Sequence, residues 1–135
     1  MNIDSTDVSD EKWALIVEDE ELNKRYIAKF LEKNGYKYKW AKNVKKAFEC
    51  IEEAIKLNQS IEVIFLDIYL EPDDDKNDLT GVDFLKKRKE LGLNDIGQVI
   101  VMTGNEEIHI VQECNKYDIQ NYIKKPVSES NLVYE

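Results

Sequence analysis

The sequence predicts an α/β domain, a doubly wound sheet of five parallel strands with helices on both faces. Three observations carry this. Short continuous apolar runs such as Trp13-Ala14-Leu15-Ile16-Val17 and Val99-Ile100-Val101-Met102 have strand length without alternation, as strands buried on both faces do. Between them lie segments with apolar residues at helical spacing. The two patterns alternate along the chain, which calls for parallel pairing through right-handed crossovers.

Each element has its own signal. Trp13 to Val17 is the first strand. A helix over 20–34 follows, with Leu22, Tyr26/Ile27 and Phe30/Leu31 at helical spacing and Gly35 at its C-cap. Tyr36 to Ala41 alternates aromatic and lysine, as a more exposed strand does; Tyr36, Tyr38 and Trp40 read as strand packing rather than a base-stacking platform. Asn43 is placed to cap a second helix whose apolar stripe is Val44, Phe48, Ile51 and Ile55. Ile61 to Leu66 is a buried strand ending at Asp67, and a polar loop follows. Gly81 to Leu91 forms a third helix with Val82 and Leu85 inward and the Lys86 to Lys89 run on its outer face. The strand Val99 to Met102 ends at Thr103. A helix over 106–117 turns Ile108, Val111 and Cys114 inward, and its His109 is read as surface or packing. Tyr122-Ile123 is a brief last strand before Lys124, Lys125 and Pro126.

The chain has 135 residues, the size of one domain, with residues 1–11 read as a flexible polar lead-in and 12–135 as the folded unit. Its net charge of −9 repels phosphate backbones and anionic lipid, so neither nucleic acid nor membrane is expected as a direct partner. No apolar run approaches the roughly 18 residues of a membrane span, and the acidic start is no signal peptide. Cys50 and Cys114 lack metal-ligand spacing and read as inert thiols of a cytoplasmic protein.

In a doubly wound sheet, ligands bind beyond the carboxyl ends of the strands. The residues there are Glu18, Asp19, Asp67, Thr103 and Lys125. Converging carboxylates repel and need a cation, and oxygen ligands of this kind suit Mg²⁺. A divalent ion beside Asp67 with a lysine opposite suits phosphoryl transfer, with a carboxylate as nucleophile and a hydroxyl on one phosphoryl oxygen.

At this point the chain resembles the response-regulator receiver domains of two-component signalling. The resemblance rests on Leu15-Ile-Val-Glu-Asp-Glu20, Val63-Ile-Phe-Leu-Asp67, Gly81-Val-Asp-Phe-Leu85, Val99-Ile-Val-Met-Thr-Gly104 and Tyr122-Ile-Lys-Lys-Pro126, from about Lys12 to Val127. It implies a flavodoxin-like sheet of order 2-1-3-4-5. It implies Asp67 as the phospho-acceptor, and Glu18, Asp19, Asp67 and the Tyr69 backbone carbonyl as Mg²⁺ ligands. Thr103 is then the switch hydroxyl, Lys125 the phosphoryl-pairing lysine, Tyr122 the aromatic switch, and Lys125-Pro126 a cis peptide. The expected donor is a histidine kinase or histidine phosphotransfer protein, docking where Leu22, Asn23 and Tyr26 flank the acidic edge. The expected readout is a downstream protein partner, with the chain a signalling phospho-acceptor rather than an enzyme.

Several features depart from the family pattern. Glu18 replaces the commoner Asp of the acidic pair. The loop from Asp67 to Gly81 is longer than usual and carries Glu71, Asp73, Asp74, Asp75 and Asp78. Its Asp73-x-Asp75-x-Asn77 start imitates a calcium loop, but Asp78 stands where glycine is required and Phe84 where glutamate is. Only nine residues follow Pro126, so the fifth helix is expected to be short or truncated, capped by Ser128. Two other readings are a receiver-fold docking module without phosphotransfer and a Mg²⁺-dependent phosphohydrolase. The latter needs a second aspartate two residues past the nucleophile, where Tyr69 stands.

Overall fold

A computed structural model describes residues 11–68, 81–103, 108–119, 121–125 and 127. The elements are β1 (Lys12–Val17), α1 (Glu21–Lys33), β2 (Tyr36–Ala41), α2 (Val44–Lys56), β3 (Ile61–Asp67), α3 (Gly81–Glu90), β4 (Gln98–Thr103), α4 (Ile108–Asn115) and β5 (Asn121–Lys124). The five strands form one sheet of order β2-β1-β3-β4-β5, with every pair parallel. This is the doubly wound flavodoxin-like topology that the resemblance implied. Residues 1–10 of the 1–11 lead-in, the loop 69–80 and the segment 128–135 expected to hold a short fifth helix lie outside the described residues. So do Gly104 and the side chains of Ile108, His109 and Val111.

Alternation along the central strands sorts the core into two layers. Leu15, Val17, Ile64, Leu66, Val99 and Val101 face α2, α3 and Cys114 of α4. Ala14, Ile16, Val63, Phe65, Ile100 and Met102 face Ile27, Ala28 and Leu31 of α1. Between α2 and α3 the Phe48 and Phe84 rings lie 4.9 Å apart. The aromatics Tyr36, Tyr38 and Trp40 of the edge strand β2 pack beside the second layer, as expected from their alternation.

Helix boundaries follow local chemistry. Asn43 caps α2, its Oδ1 accepting from Lys46 N–H at 2.8 Å. Gly35 adopts φ +80 just past α1, the left-handed conformation that ends helices.

Three expectations about faces are corrected. In α1, Leu22 and Tyr26 are exposed as the docking face requires, but Asn23, expected beside them, is buried with Ile27, Ala28 and Leu31. In α2, Ile55 is exposed, and Ala47 and Ala54 complete the buried stripe because small side chains let the helix approach the sheet. In α3 the basic run is not uniformly outward. Lys86, Lys87 and Lys89 are exposed, but Arg88 is buried. Its Nη2 donates to the carbonyls of Asn94, Ile96 and Gly97 at 2.8, 3.0 and 2.8 Å, tying down the turn into β4.

Candidate functional site

Because all five strands run in one direction, their carboxyl ends share one edge. β1 delivers Glu18 and Asp19 to that edge, β3 ends on Asp67, β4 on Thr103, and β5 leads into Lys125. Sheet-like bonds continue past the strand ends and hold these residues. Glu18 N–H donates to Ala41 O at 3.0 Å, Ile68 N–H to Met102 O at 3.1 Å, and Lys125 N–H to Thr103 O at 2.9 Å. Gly81 opens α3 directly against the end of β3. A Cβ there would lie 2.7 Å from both Asp67 O and Ile68 Cα, so the approach requires glycine.

Carboxylate oxygens of Glu18, Asp19 and Asp67 lie within 4.8 Å of one another. Glu18 and Asp67 are buried at 0% and 1% exposure, and Asp19 is half-buried. Lys125 reaches into this cluster. Its Nζ donates to Asp67 Oδ2 at 3.1 Å and lies 3.6 Å from Glu18 Oε2 and 3.5 Å from Glu20 Oε1.

The electrostatics follow from crowding. Burial, reinforced by the Asp67 charge, pushes the Glu18 carboxyl up to about 8. Burial works against the Lys125 ammonium, but Asp67, Glu18 and Glu20 outweigh it and raise its pKa. The Glu18 Oε2 accepts from Glu20 N–H at 3.1 Å, while its Oε1 is buried without a hydrogen-bond partner among the described residues. An orphaned carboxylate oxygen inside an all-oxygen donor cluster fits a hard divalent cation such as Mg²⁺.

The remaining expected residues fall around this cluster. Thr103 is buried at the end of β4, its register partner being Lys124. Tyr122 is half-buried against the layer that contains Val101, and its hydroxyl donates to Asn115 Oδ1 at 2.7 Å at the end of α4. Tyr69 and Pro126 lie outside the described residues. Of the three residues expected at a docking face, Leu22 and Tyr26 are exposed. Asn23 instead turns inward, and its Nδ2 donates to Glu20 Oε1 at 2.6 Å.

That last contact has no local signal in the sequence. Asn23 orients Glu20, and Glu20 becomes a further carboxylate on Lys125. The adjacency of Glu20 to the acidic pair is visible in sequence. Its reach to a lysine more than a hundred residues away is not.

A sequence profile described as the response regulator receiver domain matches residues 14–135. This chain belongs to the response regulator receiver family. It is 32% identical over 122 residues to the transcriptional regulatory protein AruR of Pseudomonas aeruginosa, covering 88% of this chain and 45% of that protein. The receiver domain thus spans less than half the length of the curated relatives it matches. Among solved structures, it superposes with a TM-score of 0.72 on a CheY-like response regulator receiver domain protein from Methanospirillum hungatei. That match is 25% identical and covers 90% of this chain and 87% of the other. A TM-score of 0.72 is also found with the co-crystal structure of the Saccharomyces cerevisiae histidine phosphotransfer protein Ypd1 and the receiver domain of Ssk1. There the identity is 23%, with 90% and 84% of the two chains covered. No described helix is long and apolar enough to cross a membrane.

Proposed function

We propose that this receiver domain takes a phosphoryl group onto Asp67 from the phosphohistidine of a histidine kinase or histidine phosphotransfer protein, in a Mg²⁺-dependent reaction. The observation that carries this reading is Lys125 Nζ at 3.1 Å from Asp67 Oδ2, beside three carboxylates whose oxygens lie within 4.8 Å. An Asp67 oxygen attacks phosphorus, the phosphorus–nitrogen bond of the donor breaks, and the imidazole nitrogen keeps its electron pair. The product is an acyl phosphate.

Glu18, Asp19 and Asp67, with the Tyr69 carbonyl, are the groups that would hold Mg²⁺. Bound there, the ion supplies charge neutralisation for the phosphoryl oxygens. Lys125 supplies a second positive charge and leaves its carboxylate partners for the phosphoryl group. The Thr103 hydroxyl binds a phosphoryl oxygen, and that movement shifts a two-state equilibrium read through Tyr122. The exposed Leu22 and Tyr26 offer the donor an apolar foothold beside the acidic edge. The Ypd1–Ssk1 co-crystal supports a partner of the phosphotransfer class. The output is a downstream protein contact in the cytoplasm, and the net charge of −9 disfavours direct nucleic-acid binding.

Intact-protein mass spectrometry after incubation with a small acyl phosphate tests this. One phosphoryl group should be gained with Mg²⁺ and none with EDTA or in Asp67→Asn. A folded, Mg²⁺-binding protein that gains none would refute phospho-acceptance and favour a docking module.

A further inference from the structure

We propose that Trp40 is a positioning residue for the acidic site, its indole N–H holding the peptide that carries Asp19 into the carboxylate cluster. The inference rests on the reading of that cluster as a Mg²⁺ site. The β1–β2 ladder ends at the Val17–Ala41 pair, where β2 ends and β1 gives way to the turn into α1. One step further, Glu18 N–H still finds Ala41 O at 3.0 Å. The next group, the Glu18 carbonyl, is past the last residue β2 can offer. It accepts instead from Trp40 Nε1 at 2.7 Å.

That carbonyl belongs to the same rigid peptide plane as the Asp19 nitrogen. Fixing its oxygen therefore limits where Asp19 can stand, and Asp19 is one of the three clustered carboxylates. The indole is itself held. Lys24 of α1 places Nζ 4.4 Å from the ring centre, and Lys42 of the β2–α2 turn places its own at 5.3 Å. Packing alone does not demand an indole here. Tyr36 and Tyr38 line the same layer with phenol rings, whereas the half-buried indole supplies a donor-only N–H.

The test compares Trp40→Phe, which keeps a ring but removes the donor, with Trp13→Phe. Trp13 packs on the opposite layer of the core. Calorimetric titration with MgCl₂ should show Mg²⁺ affinity reduced about three- to ten-fold in Trp40→Phe, as expected for one lost hydrogen bond. Trp13→Phe should bind like wild type. Trp40 is the only indole left in Trp13→Phe, and its emission should change on Mg²⁺ addition with the calorimetric affinity. The emission of Trp13 in Trp40→Phe should not respond.

A purely structural tryptophan would lower the melting temperature of Trp40→Phe and leave Mg²⁺ affinity and Trp40 emission unchanged. Either unchanged quantity overturns the proposal. Should Trp40→Phe not fold, the Trp40 emission in Trp13→Phe decides alone. Wild-type protein that binds no Mg²⁺ overturns the metal-site reading and this inference together. Equal binding by wild type and Trp40→Phe overturns only the inference.

Discussion

Burial and the Asp67 charge raise the Glu18 carboxyl pKa, and Glu18→Gln measures the consequence for stability. In metal-free protein the folded state holds a proton on Glu18 up to about pH 8, against about 4.5 for an ordinary glutamate. Between those values the native state binds more protons than the unfolded state. Stability from this group is therefore present at acid pH and falls as pH rises toward 8. The full difference converts, at about 1.4 kcal/mol per pH unit, to a ceiling of about 5 kcal/mol. Between pH 5.5 and 7.5 the loss is at most about 3 kcal/mol, or roughly 10 °C in melting temperature for a domain of this size. Glutamine cannot ionise, so Glu18→Gln lacks this term while the other groups remain. Thermal unfolding by circular dichroism in EDTA should show the variant overtaking wild type as pH rises from 5.5 to 7.5. Mg²⁺ at pH 7.5 should reverse the order by stabilising the wild-type cluster more than the variant, which has lost one of its three carboxylates. Melting curves of the two proteins that move in parallel with pH would refute the assignment of a raised Glu18 pKa.

Two further outcomes follow from the contacts that support the site. Arg88→Met keeps the aliphatic stem but removes the guanidinium from three carbonyls, at an expected cost of about 2–4 kcal/mol. Mg²⁺ affinity should be unchanged, since Arg88 sits at the opposite end of the sheet; chemical denaturation alongside Mg²⁺ titration checks both. Gly81→Ala drives a methyl to 2.7 Å from backbone atoms of Asp67 and Ile68, which cannot yield without moving the acceptor. It should cost about 1–3 kcal/mol and weaken Mg²⁺ binding several-fold, and wild-type affinity in that variant would contradict the close packing.

The legibility of this receiver domain divides along physical lines. Strands β1, β3 and β4 were readable because burial on both faces forces continuous apolar runs, and their ends named Glu18, Asp19, Asp67 and Thr103. The Asn43 cap was readable because capping is a contact three residues long. Helix faces were read less well, since Ala28, Ala47 and Ala54 are buried by closeness to the sheet rather than by size. A preference for large residues put Ile55 in the buried stripe of α2, where it is exposed. Arg88 hid in a lysine run because the carbonyls that accept from it belong to a turn whose shape no local signal fixes.

The same distinction explains which parts of the site escaped notice. Parallel topology by itself gathers strand ends at one edge, so residues at those ends can be assigned from strand boundaries alone. Trp40 and Glu20 act from positions that topology does not gather. Trp40 reaches the Glu18 carbonyl only because Ile16 pairs with Trp40 and Val17 with Ala41. A slip of one residue in that register would turn the indole to the other face of the sheet. Glu20 meets Lys125 only because α1 is rotated to bury Asn23 beneath it. The reacting groups are thus set by chain order, whereas the groups that orient them depend on strand register and helix rotation. Variation at positions such as 20 and 40 can therefore retune a receiver site while its reacting residues stay the same.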